Sequence, residues 1–241
     1  MGREARHAQD GRPGASDHLS GEPPDEERAL LDEQIRYYRA RALEYDATSL
    51  PPDDPFASET ERIRSALKTF GPRGRVLELA AGTGQWTATL AETAATLRAI
   101  DASPEMLRLN AEKTQDPRVE YVAADVFAVE PDAAWDVVLF GFFLSHVPMA
   151  RFGAFWDLVR GLLAPGGRVF FVDEAAHGLW NEDWIDQGAG VVRRRLNDGT
   201  EHRAVKVLWE PSALERRLRD EGWDVEVGVA GPFYWGTGSP R

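Results

Sequence analysis

From Gly74 onward the chain alternates short apolar runs with helical patterns, which confines it to parallel strands joined by crossover helices. The runs occupy residues 76–79, 97–100, 119–123, 135–140 and 168–172, and helical patterns fill 84–95 and 148–163 between them. Ser103 and Pro104 supply an N-cap and a first helical position for the helix after the second run, and Pro165-Gly166-Gly167 forms the turn before the fifth. The alternation then breaks. An insertion over 174–209 carries Trp180, Trp184 and two strand-like runs, VVRRRL and HRAVKVLW, around the hairpin signal Asn197-Asp198-Gly199. Pro211 opens a further helix, and the closing runs 223–229 and 233–236 are joined by Gly231-Pro232, a linker too short for a crossover, so this pair is antiparallel.

The segment before Gly74 has a different character. Residues 1–26 are rich in Gly, Pro and charge with almost no large apolar side chains, which predicts a disordered arm. Over 27–46, Leu30, Leu31, Ile35, Tyr38, Ala42 and Tyr45 recur at spacings of three and four, predicting an amphipathic helix that Pro51, Pro52 and Pro55 bring to an end. A second helix is predicted over 57–70, with Ile63, Leu67 and Phe70 on one face.

Composition bounds the functions open to such a chain. With 241 residues and 43% hydrophobic content it builds one sizeable core, and without cysteine it has neither disulfides nor thiolate metal sites nor a cysteine nucleophile. The 28 Lys and Arg against 40 Asp and Glu, net −12, repel a polyphosphate and argue against a nucleic-acid partner. No run approaches the roughly 20 apolar residues needed to span a bilayer, and the first thirty residues lack a signal-peptide core, so a cytoplasmic protein is expected.

Three acids fall at the carboxyl ends of successive strands or just beside them. Gly82 and Gly84 form a Gly-rich turn after the first strand, a place where the backbone can approach a ligand. Alone, G-T-G serves a nucleotide or merely packs a helix. It lacks the third glycine of the dinucleotide fingerprint, and Glu78 sits inside the strand before it, which counts against a nicotinamide cofactor. Asp101 ends the second strand, where an acid can accept both hydroxyls of a ribose, and Asp125 lies just beyond the third, within reach of an adenine amino group. Each acid taken singly is equally well a helix cap.

On these motifs the chain resembles the class I S-adenosylmethionine-dependent methyltransferases of small-molecule type. RVLELAAGTG resembles their first motif, AIDASPEML the second, VAADVF the third, WDVVLFGFFLSHVP the fourth and LLAPGGRVFFVDE the fifth-strand segment. The resemblance implies an α/β, Rossmann-like three-layer αβα sandwich: a seven-stranded, mostly parallel sheet with an antiparallel last strand, plus the hairpin insertion after the fifth strand. It divides the chain into the arm 1–26, N-terminal helices 27–70 forming a cofactor lid, and a methyltransferase domain 71–241 with the insertion 174–209.

Residue by residue, the resemblance implies that Glu78, Ala80 and Gly82 lie beside the methionine portion of S-adenosylmethionine, with Gly84 and Trp86 in the same turn. It implies Asp101 on the ribose, Ala102 and Met106 flanking the adenine, and Asp125 and Val126 at its amino edge. Phe140, Gly141 and Phe142 line the sulfonium side. The run YYRARALEYD resembles the family's N-terminal closing helix, which makes Tyr37, Tyr38, Arg41 and Tyr45 candidates; Arg41 would pair with the cofactor carboxylate and a tyrosine would face the sulfonium. Its alternative is a helix that only packs its tyrosines on the domain.

His146 follows the fourth strand and His177 the fifth, both at the rim where a general base can sit. His146 is equally a neutral hydrogen-bonding residue that orders its turn. For the acceptor, Tyr37, Tyr45, Phe143, Trp180, Trp184 and Arg193 are the candidates, with Trp156 assigned to the core. The expected activity is methylation of an oxygen or nitrogen, less readily a carbon, of a small metabolite, by a monomer or homodimer, releasing S-adenosylhomocysteine and using no metal. A macromolecular methyltransferase and a non-catalytic nucleotide-binding module are the competing readings.

Overall fold

In a computed structural model the protein is described over residues 25–49, 53–132, 134–178 and 181–241. Nearly all of the expected arm, together with Pro51, Pro52 and Trp180, lies outside the described residues. The strands β1 (Gly74–Leu79), β2 (Ala94–Asp101), β3 (Val119–Ala123), β4 (Trp135–Gly141), β5 (Leu163–Glu174), β9 (Trp223–Ala230) and β10 (Phe233–Pro240) form one sheet in the order β3-β2-β1-β4-β5-β10-β9. Pairings from β3 through β5 are parallel, and β10 runs antiparallel to both neighbours, the reversed last strand the resemblance implies.

The central strands β1, β4 and β5 are buried on both faces over their carboxyl halves, which is why these stretches read as continuous apolar runs. Along β1 the alternation is visible: Val76 faces Ile63 and Leu67 of α2 (Ala57–Phe70), whereas Leu77 and Leu79 join the opposite core with Trp156 and Phe155. That second core is covered by α5 (Phe152–Leu162) and α6 (Pro211–Asp220). Trp156, 1% exposed, packs edge-on against Phe140, Phe171 and Trp223, so its core assignment holds.

Several element boundaries differ from expectation, and β5 begins at Leu163, so that it takes in Pro165-Gly166-Gly167, the expected turn. The helix expected over 84–95 is only α3 (Thr87–Ala91), because β2 already starts at Ala94, opposite Gly74. A turn at Glu92 and Thr93 intervenes, held by the Thr93 hydroxyl on the Pro72 carbonyl. The helix expected from Pro148 starts at Phe152, preceded by a single 3-10 turn over Met149–Arg151. Ser103 caps α4 (Pro104–Thr114) as expected, accepting the Met106 amide at 3.1 Å.

The insertion holds one strand more than expected. β6 (Trp184–Asp186), β7 (Val191–Arg195) and β8 (Glu201–Val205) make a small antiparallel sheet, with Arg194 opposite His202 across the hairpin. α1 (Asp25–Ser49) packs on β8 and α4, spanning the carboxyl edge of the main sheet. No helix among the described residues is long and apolar enough to cross a membrane.

Candidate active site

The turn after β1 is built by backbone conformation. Gly82 and Gly84 have φ of +52° and +91°, and Ala80 adopts +51° although it carries a Cβ. A side chain at Gly84 would collide with Asn110 at 2.5 Å, so this glycine is also a packing requirement. Non-glycine residues in this region cost about 1 kcal/mol or more, and such strain persists where surrounding contacts enforce it. Here Asp101 does so: its Oδ2 accepts the Gly82 amide at 2.8 Å while its Oδ1 accepts the Ser103 amide at 2.8 Å. Each oxygen keeps acceptor capacity for a ligand. Burial raises the Asp101 proton affinity, opposed by the two amides.

Beneath the turn, Glu78 accepts the Thr87 hydroxyl at 2.6 Å, and Thr87 in turn accepts from Asn110 at 2.8 Å. Burial pushes the Glu78 carboxyl up to about 8, against the Thr87 hydrogen bond. Glu78 therefore supports the turn from within the core rather than lining a cavity.

Two cavities adjoin at the carboxyl edge of the sheet. The first, of about 860 Å³, is lined by Ala80, Gly82, Asp101, Ala102, Ser103, Met106, Asp125, Val126, Phe127, Gly141 and Phe143, and is roofed by Leu31, Gln34 and Ile35 of α1. The second is lined by Tyr37, Arg41, Thr48, Ser49, Asp54, Ser145, Glu174, Glu182, Arg194 and Lys206, among others. Tyr38, Tyr45, Phe142 and His146 line both. At this junction Phe142 is held at φ +54° with its amide on the Val172 carbonyl at 2.7 Å, a second strained non-glycine residue at the site.

The junction carries a directed chain of hydrogen bonds. His146 Nδ1 lies 2.8 Å from the Val205 carbonyl, which can only accept, so Nδ1 holds the proton. Nε2 is then an acceptor, and the Tyr38 hydroxyl donates to it at 2.8 Å. Burial, reinforced by Lys206 and Arg194, holds the His146 proton affinity well below its ordinary value, with Val205 opposing. Burial, with Tyr45 nearby, raises that of Tyr38, and burial pushes Tyr45 up to about 12 against Arg41. The pair is a neutral phenol donating to a neutral imidazole.

The second cavity is polar and carries charges of both signs, with Arg41, Arg194 and Lys206 set against Asp54, Glu174 and Glu182. Lys206, 3% exposed, contacts Glu174 and lies 3.9 Å from Glu182, while Arg194 pairs with Glu182 through both terminal nitrogens. Arg41 bonds the Thr48 and Ser49 hydroxyls and lies over the Tyr45 and Tyr37 rings; among the described residues it has no carboxylate partner. Arg41 thus faces the polar cavity, whereas the resemblance placed it on the cofactor carboxylate.

Several candidates stand apart from both cavities. Trp86 is buried under Arg64 with its indole N–H against Gly141, Phe140 lies in the core with Phe155 and Phe171, and Gly84 packs on Asn110. His177 is exposed, bonding the Gly231 carbonyl at 3.1 Å beside Glu210. Trp184 sits half-buried on β6, and Arg193 faces Asp183 and Glu201 in partly exposed ion pairs. Strand alternation gives the inward position to Arg194 instead. Gln34, Glu174, Glu182, Arg194 and Lys206 were not singled out individually from sequence; the one signal for Arg194 was its place in the triple-Arg run.

The chain matches a family model described as a methyltransferase domain over residues 76–167. It is 31% identical to a ubiquinone biosynthesis O-methyltransferase of Xanthomonas euvesicatoria pv. vesicatoria, over 72% of this chain and 71% of that protein. It is 39% identical to a demethylmenaquinone methyltransferase of Clavibacter sepedonicus, but there the match spans only 39% of either chain. Among solved structures, DhpI in its SAH complex and its SAM-HEP complex aligns at 41% identity and TM-score 0.76, covering 88% of this chain and 98% of that one.

Proposed function

Because the chain belongs to the class I S-adenosylmethionine-dependent methyltransferases, we propose that it methylates an oxygen or nitrogen of a small, anionic metabolite at the Tyr38–His146 junction. The observation that carries this reading is the sharing of Tyr38, Tyr45, Phe142 and His146 by one largely apolar cavity and one polar cavity in which Arg41 has no carboxylate partner among the described residues. A cofactor side and an acceptor side that meet there need no rearrangement of the sheet.

The first cavity fits S-adenosylmethionine by the chemistry of its donors and acceptors. Asp101 retains acceptor capacity for ribose hydroxyls, Ala102, Met106 and Val126 offer an apolar slot for adenine, and Asp125 stands at its edge. Tyr38 and Tyr45 supply aromatic faces suited to a sulfonium cation. When bound, S-adenosylmethionine supplies an electrophilic methyl group, so the protein has chiefly to align an acceptor and exclude water. We read α1 as the lid that does the excluding.

The acceptor's anionic group is held by Arg41, whose charge meets no carboxylate among the described residues, whereas Lys206 and Arg194 behind it are paired with Glu174 and Glu182. An acceptor O–H or N–H gives its proton to Tyr38 Oη as the Tyr38 proton passes to His146 Nε2, leaving the imidazole protonated on both nitrogens. An anion on Arg41 offsets one of the cations that lower the His146 proton affinity, so the base strengthens when the acceptor binds. Relatives named for ubiquinone and demethylmenaquinone chemistry support a small-molecule acceptor. The acidic chain supports the same choice over nucleic acid, and a cytoplasmic monomer or homodimer completes the reading.

The test is a panel of small hydroxy acids, amino acids and phosphate esters, each paired with its neutral ester or amide and assayed for S-adenosylhomocysteine release and methylated product. Members bearing the free anion turn over and their neutral partners do not; equal turnover of both, or turnover of tRNA alone, would sink the assignment. Arg41→Gln raises KM for the accepted anion about tenfold, the loss of one charge-assisted hydrogen bond, and leaves the cofactor Kd unchanged. A selective loss of cofactor affinity would return Arg41 to the cofactor carboxylate.

A further inference from the structure

Gln34 is polar, buried and placed on α1 one helical turn before Tyr38. Its Oε1 accepts the Val205 amide at 2.9 Å, and its Nε2 donates to the His146 carbonyl at 3.3 Å. A backbone N–H can only donate and a carbonyl only accept, so these partners fix which way the amide points. On the other side of the same ring of contacts, Tyr38 donates to His146 Nε2 and His146 Nδ1 donates to the Val205 carbonyl. Two α1 side chains therefore hold His146 at both ends, its backbone through Gln34 and its ring through Tyr38, while Val205 is held at its amide and at its carbonyl.

Other polar contacts of α1 do not touch His146: the Thr83 hydroxyl donates to Asp46 at 2.6 Å, and Arg151 pairs with Glu27 at 3.2 Å. The pairs Arg39–Glu105 and Glu33–Arg203 are partly exposed, and exposed pairs add little to stability. Meanwhile the His146 turn is anchored independently of α1, with the Ser145 amide on Asp173 at 2.8 Å and the Val207 amide on the Ser145 carbonyl at 2.7 Å. Lifting α1 would leave that turn in place and strip it of Gln34 and Tyr38 together.

We propose that Gln34 is a positioning residue that ties the seating of α1 to the tautomer and orientation of His146, so that the proton acceptor is assembled only when α1 covers the cofactor cleft. With α1 lifted, Nε2 loses the Tyr38 hydroxyl and the Val205 peptide loses the amide partner that sets its plane, so the Val205 carbonyl no longer holds the proton on Nδ1 and either neutral tautomer becomes available. With α1 seated, Nδ1 is protonated and Nε2 receives from Tyr38. The inference rests on the role given to His146 above.

Ring-nitrogen NMR of His146, on the full chain saturated with S-adenosylhomocysteine, reads the tautomer without needing turnover. The native protein shows the Nδ1-protonated form alone; Gln34→Leu, which keeps the bulk and removes both hydrogen bonds, shows a mixture of the two tautomers. Gln34→Met serves as a second variant should Gln34→Leu fail to fold. With the panel acid that turns over, Gln34→Leu lowers kcat about tenfold, in the range outer-shell partners of a functional histidine command, and has no further effect in a His146→Ala background. An unchanged tautomer in the folded variants, or an equal loss of turnover in the His146→Ala background, would overturn the proposal. Full turnover by His146→Ala alone sinks the base assignment instead, a result separate from the ring-nitrogen readout.

Discussion

His146→Ala lowers kcat by about 10²–10⁴-fold, the range a positioned acid or base contributes, while the Kd for S-adenosylmethionine moves little. The expectation follows from the chain of hydrogen bonds at the junction. His146 is neutral because it is buried beside Lys206 and Arg194, and its one free acceptor, Nε2, is committed to the Tyr38 hydroxyl. Tyr38→Phe removes the hydroxyl bonded to that nitrogen and falls in the same range. Acting as a unit, the two are non-additive, so the double variant is no slower than the worse single one. The acid limb of kcat/KM falls below pH 6.5, because a buried imidazole beside two cations takes up its proton only in more acidic solution. A near-normal kcat for His146→Ala, measured with an acceptor that turns over, removes the histidine from the mechanism.

Asp101→Ala weakens S-adenosylmethionine binding by about 100-fold, counted as two hydrogen bonds to a charged group at about 1.5 kcal/mol each. Part of that loss comes through the turn, since Asp101 Oδ2 also holds the Gly82 amide at the strained position after β1. Asp101→Asn separates the two contributions. Its amide nitrogen must face either the Gly82 or the Ser103 N–H, both donors, so it disturbs the turn even where the carbonyl oxygen still serves the ribose. Calorimetric titration with S-adenosylhomocysteine measures both variants. Native affinity in Asp101→Ala would mean that the ribose lies elsewhere.

The succession of strands along the chain, the antiparallel closing pair and the rim carrying Asp101, Gly82 and Asp125 were legible because apolar runs and turn residues encode them locally, whereas the order of the strands in the sheet is not displayed there. The boundary between α3 and β2 was not. Leu90, Ala91, Ala94 and Leu97 continue a spacing of three and four that suits a helix, and the choice of strand is made by pairing with Gly74, which sequence does not display. Arg193 and Arg194 show the same limit at a functional position. Alternation says that one faces inward, but which one depends on the phase of the hairpin against α1. Lys206 and Gln34 read as ordinary polar residues of a strand and a helix. Their burial arises only when β8, α1 and the His146 turn meet, so no local signal could have singled them out.

The most direct test of the two-cavity account is a crystal structure of the protein with S-adenosylhomocysteine. The account predicts its ribose on Asp101, its adenine between Met106 and Val126, and its sulfur directed at Tyr38 and His146, with the cavity of Arg41, Arg194 and Lys206 left open beyond it. A homocysteine chain that fills that second cavity, with the sulfur turned away from the Tyr38–His146 pair, would contradict it.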